Sequence, residues 1–171
     1  MSSHEQALSL SDANGIRLCC VMLTLRTPRP DEAALLTELC LRSKAVWGYD
    51  TEFMRACRDE LTLTPERMRS SRLQVAEIDG CLVGVVQVTV NGAVADLDKL
   101  FVEPTRLRCG AGRILFAWAR RTAREAGAAT LGIDADPDAA GFYLRMGAIE
   151  DGVVPSGSLP GRVIPRLTLA L

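Results

Sequence analysis

Two glycines, three arginines, one tyrosine and two aspartates are the residues of this chain whose types and spacing suit chemistry. Gly110 and Gly112 open a helical pattern just after the loop residues Arg106, Leu107, Arg108 and Cys109, and Arg113 follows them. The first amides of a helix lack internal partners, its dipole adds positive charge there, and glycine lets a ligand approach the main chain. Such a turn suits a phosphate. Asp96 and Asp98 lie two apart on the strand that feeds this loop, so they share one face. Either carboxylate there could take a proton from a substrate, or the two are simply a solvent-facing pair at a strand end. Tyr143 is one of only two tyrosines. A phenol is neutral at pH 7 with one hydrogen to give, which suits a proton donor; a core aromatic is the plainer account.

Other chemistries are excluded or disfavoured. The single histidine, His4, sits in a polar N-terminal stretch, which removes a Ser-His-Asp or Cys-His apparatus. Six cysteines, at 19, 20, 40, 57, 81 and 109, form no C-x-x-C pair, so no metal site is expected. They read as small apolar residues of a reducing compartment. Leu115 stands where a dinucleotide-binding G-x-G-x-x-G would need its third glycine, and no Gly-Lys-Ser/Thr ending marks a P-loop. A net charge of −1 argues against holding nucleic acid by bulk electrostatics. No apolar run is long enough to span a bilayer and no signal-peptide pattern opens the chain, so a cytoplasmic location is expected.

The elements that must position these residues follow from periodicity. At 171 residues, 48% of them apolar, the chain suits one domain over 16–171 after a loosely held lead-in over 1–15. Ile16 to Leu25 reads as a strand. A helix from Asp31 places Leu35, Leu36, Leu39 and Cys40 on one face, and a second runs from Thr51 to Leu61. Thr64-Pro65-Glu66 starts a short third. Asp79-Gly80 and Asn91-Gly92 are hairpin turns, so three antiparallel strands form a meander from Leu73 to Val102. The helix from Gly110 to Ala126 is expected to bury Ile114, Leu115, Trp118, Ala119, Thr122 and Ala126. A strand from Thr130 to Asp134 completes a parallel crossover, and a helix from Pro137 to Met146 follows. After the turn-rich stretch from Pro155 to Gly161 comes a last strand, Val163 to Leu169.

This order resembles the GNAT superfamily of acetyl-CoA-dependent N-acetyltransferases, over nearly the whole of 16–171. The family's loop pattern, Gln/Arg-x-x-Gly-x-Gly/Ala, falls on Leu107-Arg108-Cys109-Gly110-Ala111-Gly112, with leucine at its first position. A second pattern falls on Phe142-Tyr143-Leu144-Arg145-Met146-Gly147-Ala148. The resemblance implies an α/β (α+β) fold with a mixed, mostly antiparallel sheet of about six or seven strands and helices on both faces. It implies acetyl transfer from acetyl-CoA to a primary amine of a small molecule, with no nucleic acid or membrane partner, by direct attack within a ternary complex. Cofactor contacts would then fall on Leu100, Phe101, Val102, Leu107 to Arg113 including Ala111, and Asp136, for which a helix cap is the simpler account. Tyr143 would protonate the departing thiolate, and Asp96 or Asp98 would assist deprotonation. Trp47, Tyr49 and Asp50, between the first two helices, are candidates for holding the ammonium or for packing a helix corner. A non-catalytic acyl-CoA-binding or regulatory protein of the same fold is the alternative. A homodimer through the C-terminal strand is conceivable.

Overall fold

The computed structural model describes residues 22–171. The expected lead-in and most of the strand expected from Ile16 lie outside them; its end is β1, Leu23–Arg26. After a single tight 3-10 turn at Pro30–Glu32 come α1 (Ala33–Ala45), α2 (Thr51–Leu61) and α3 (Pro65–Ser70). The meander is β2 (Arg72–Ile78), β3 (Cys81–Asn91) and β4 (Val94–Val102). Then follow α4 (Ala111–Glu125), β5 (Thr130–Asp134), α5 (Pro137–Arg145), β6 (Ile149–Pro155) and β7 (Val163–Ala170). The seven strands make one sheet in the order β1-β2-β3-β4-β5-β7-β6, antiparallel throughout except for β4 beside β5. One core packs α4 and α5 on one face; a second packs α1 and α2 on the other.

Several expectations need correction. Helix α1 starts two residues late, because Glu32 turns inward to meet Arg26 and Arg29 instead of opening the helix. Leu35 is therefore exposed, while Leu36, Leu39 and Cys40 are buried. Helix α4 buries Ala111, Leu115, Phe116, Ala119 and Ala123, a stripe displaced from the expected one; Ile114, Trp118 and Thr122 are only partly covered, at its margin. Strand β6 was not expected, since its residues are almost all exposed and carry no alternation. It takes the sheet's edge, so the C-terminal strand β7 is enclosed between β5 and β6 and offers no free edge for a partner. Cys40 and Cys57 are buried as expected, but Cys81 and Cys109 are exposed.

Candidate active site

Two irregularities of β4 create the site. The first is its short pairing with β5: Val94, Ala95 and Asp96 face Thr130, Leu131 and Gly132, and the register ends there. Beyond Asp96 the two parallel strands part, and the β5-facing edge of Leu97–Val102 has no strand beside it. The second is a bulge. Gln87 faces Lys99 while Val88 faces Leu97, so Asp98 is the extra residue. Before the bulge Ala95 and Leu97 join the α4 core; after it Val102 joins that core and Phe101 packs on the α1–α2 side. The register change puts Asp96, Asp98 and Lys99 on one wall of a cleft of about 820 Å³, on the α1–α3 face. Alternation alone would have sent Asp98 and Lys99 to opposite faces.

The cleft thus opens at the vertex of the splay. Gly132 of β5 lies on its floor, and Arg166 of β7 reaches across it. The guanidinium donates to Asp134 at 2.8 Å and to Asp96 at 3.1 Å, tying three strands together. A Cβ on Gly132 would stand 2.8 Å from the Asp96 carboxylate and collide with the guanidinium, so only glycine permits this bridge. Asp98 is held differently: the Thr89 hydroxyl donates to it at 2.6 Å. Desolvation in the cleft pushes the Asp98 carboxyl above its ordinary value, with Thr89 and the neighbouring Lys99 charge pulling it back.

The opposite end of the splay carries the glycine loop. Arg108 (φ 65°) and Gly110 (φ 93°) both adopt left-handed backbone, folding the loop so that successive amides turn to one side. Leu107 and Cys109 donate to main-chain carbonyls within the loop, whereas the amides of Arg108 and Gly110 have no acceptor among the described residues. No side chain caps α4, which leaves the first amides of the helix, Ala111 to Arg113, open as well. A Cβ on Gly112 would meet Phe142 and Val102 only at ordinary contact distance, 3.7 Å, so packing does not require glycine there. Arg106, Arg108 and Arg113 are exposed and take part in no ion pair among the described residues. A loop of free amides ringed by free cations fits a pyrophosphate.

Tyr143 lies on the α4–α5 side, buried against Phe116 and Phe142 at ring-centroid separations of 5.6 and 5.1 Å. Burial pushes its phenol upward, so it stays protonated. Tyr143 does not line the cleft; it and the two aspartates stand on opposite faces of the sheet, with the splay between them. Leu100 and Phe101 are partly buried and Val102 is buried, so main chain is what they present to the gap.

Asp136 caps α5, accepting from the Asp138 amide at 3.2 Å. Its carboxylate also accepts from Lys44 at 3.0 Å and from the Tyr49 hydroxyl at 2.8 Å, with Arg162 at 4.0 Å. The α5 cap, Lys44 and Tyr49 account for the position of this carboxylate. Tyr49 stacks on Phe53 at 3.9 Å, and Arg162 lies over both rings. Asp50 accepts from the Phe53 amide at the start of α2, and Trp47 is exposed; neither they nor Tyr49 line the cleft. Sequence reasoning passed over Gln87, Lys99, Gly132 and Arg166. Two polar side chains inside apolar strands were the available signal for the first two; the contacts of the others depend on strand order. No group of three or more His, Cys, Asp or Glu among the described residues is placed to hold a metal ion.

Known proteins share the fold that positions this site. The family model described as the acetyltransferase (GNAT) family matches residues 36–148. The chain belongs to the GNAT acetyltransferase family. Solved GNAT structures share its fold. A GCN5-related N-acetyltransferase from Rhodopseudomonas palustris is 22% identical with a TM-score of 0.74, over 86% of this chain and 95% of that one. The PaiA N-acetyltransferase of Thermoplasma acidophilum, solved with coenzyme A, is 16% identical with a TM-score of 0.72, over 87% and 99%. The ribosomal-protein-S18-alanine N-acetyltransferase of Escherichia coli is 17% identical with a TM-score of 0.63, over 87% and 94%. No curated protein matches the sequence. No helix among the described residues is long and apolar enough to cross a membrane.

Proposed function

We propose that this GNAT protein transfers an acetyl group from acetyl-CoA to a primary amine of a small molecule, by direct attack in a ternary complex. The observation that carries the reading is the run of unpartnered amides at Arg108 and Gly110–Arg113, placed where β4 has lost its neighbour. Those amides and the three arginines would hold the pyrophosphate, and the free edge of Leu97–Val102 would hydrogen-bond the pantetheine arm. Bound there, the cofactor supplies an acyl thioester at the vertex of the splay.

Asp98 is better suited than Asp96 to serve as base. Asp96 is committed to Arg166, whereas Asp98 meets only a hydroxyl and has the raised pKa of a carboxylate that accepts protons readily. Asp98 would take a proton from the acceptor's ammonium, directly or through water, freeing the nitrogen lone pair for the acyl carbon. Tyr143, kept neutral by burial, would give its proton to the departing sulfur, so that the cofactor leaves as its thiol. Phe142, the preceding residue, lies beside Gly112, as does Val102, which supports a place for α5 near the glycine loop. Assay of thiol release from acetyl-CoA over a panel of amines tests the reading. Tyr143→Phe and Asp98→Asn should each lower kcat by about 10²-fold while CoA binding persists. A panel in which no amine raises thiol release, with CoA leaving the melting temperature unmoved, would overturn it.

A further inference from the structure

Nearly every charged group on the cleft wall already has a partner. Asp96 and Asp134 share Arg166, Asp98 has Thr89, Glu60 accepts from Ser158, and Arg67 donates to the carbonyls of Asp59 and Thr62. Lys99 does not. It is 8% exposed, lines the cleft, and makes no hydrogen bond or ion pair among the described residues. The titratable groups around it are Cys40, Asp98, Arg67 and Glu60. Its partner across the ladder is Gln87, 7% exposed and also on the cleft wall, whose Oε1 is buried without a partner.

The orientation of that amide is fixed by its neighbour. The Ser71 hydroxyl spends its only hydrogen on the Arg67 carbonyl at 2.6 Å. It can therefore only accept, and Gln87 Nε2 donates to it at 3.0 Å. Oε1 is then the branch of the amide left without a partner, buried within the wall and not open to the cleft. The wall consequently offers one unpaired cation, next in sequence to the Asp98 carboxylate. One small ligand can meet both. An unpaired cation that burial has partly desolvated is costly, and a ligand anion offsets that cost where a neutral carbonyl does so weakly.

We infer that the acceptor amine carries an anionic group, carboxylate or phosphate, a few bonds from its nitrogen. Lys99 pairs with the anion while the amino group lies beside Asp98. Lys99 is therefore a specificity residue of the acceptor site. This rests on the transferase reading above.

Matched acceptors test it through thiol release: tyramine, tyrosinamide and tyrosine for the carboxylate, ethanolamine and phosphoethanolamine for the phosphate. The anionic member of one set should have a kcat/KM about tenfold or more above its neutral counterparts. Lys99→Met should flatten that ratio and raise the melting temperature, since it removes a desolvated charge, while Lys99→Arg keeps the preference. Equal or better use of the plain amine or the amide by the wild type, or an unchanged ratio in Lys99→Met, would overturn the inference and leave the transferase reading standing. If no amine at all is acetylated, that reading fails first. Calorimetric titration of tyrosine and phosphoethanolamine into the wild type and Lys99→Met then decides the inference alone. Binding that Lys99→Met abolishes supports it; equal binding to both, or none to the wild type, overturns it.

Discussion

At the scale of single residues, Gly112 separates a reason of packing from a reason of binding. Its neighbours would accept a Cβ, and its φ is not left-handed, so folding does not ask for glycine. A carboxylate at the second position of α4 would even be favoured by the helix dipole. Gly112→Asp should therefore leave stability within about 0.5 kcal/mol of the wild type, while its charge repels the pyrophosphate and CoA no longer raises the melting temperature. A variant that unfolds, or that still binds CoA as the wild type does, would remove the phosphate assignment. The glycine loop and Tyr143 were legible in sequence because spacing within one segment defines them. Lys99 was not, because its direction depends on a bulge in β4 that appears only once β3 is beside it. Asp96 and Asp98 looked equivalent for the same reason: the arginine that tells them apart lies on β7, 70 residues from Asp96 in sequence.

At the scale of elements, the start of α1 shows how an ion pair can overrule a helix-start signal. Asp31 and Glu32 look like first-turn acids, yet Glu32 is 2% exposed and accepts from Arg26 at 2.6 and 2.8 Å. Arg26 also reaches Glu77 at 2.6 Å, and the Arg29 amide donates to Glu32 at 2.7 Å. The network fastens β1, the 3-10 turn and β2. The Arg26 hydrogen bonds, foremost among its causes, hold the Glu32 carboxyl below the ordinary carboxylate range. A depressed carboxyl contributes stability above its unfolded pKa, roughly 4.3 for glutamate, and loses it as pH falls through the folded value. Urea titrations should accordingly show stability falling below about pH 4, with part of the fall absent in Glu32→Gln. At pH 7 that variant should be less stable by about 2 kcal/mol, discounted from a fully buried pair because Arg26 is 26% exposed. An acid limb identical in both proteins would show that Glu32 is not the group responsible.

At the scale of the molecule, the sheet is a V whose arms share only three opposed residue pairs, Val94–Thr130 to Asp96–Gly132. Beyond these, α4 on the β2–β4 arm meets α5 on β7 through Phe116, Phe142 and Tyr143 on one face, and polar bridges span the arms from the other. Arg166 closes the vertex from β7. Ser158 of the β6–β7 connection meets Glu60 of α2. Asp136 gathers Lys44 from the end of α1, Tyr49 from the α1–α2 corner and Arg162 from the β6–β7 connection. Fold class and crossover were readable from the hairpin turns and the helix period, but this clasp joins residues up to 113 apart and has no local signature. Asp136→Asn keeps an oxygen for the α5 cap and for Tyr49 while removing the charge that balances Lys44 and Arg162, which are 18% and 23% exposed. The loss should be about 2 kcal/mol, roughly 4–8 °C in melting temperature for a domain this long. If the clasp holds the arms together, amide exchange should quicken in the α1–α2 corner and in 156–162, which it pins, before it changes in β3 or α4. Exchange that rises evenly across the sheet would instead place the role of Asp136 in global stability. The same variant with Lys44→Met distinguishes pairing from capping: the double substitution should recover most of the loss if the stranded ammonium causes it, and none if the α5 cap does.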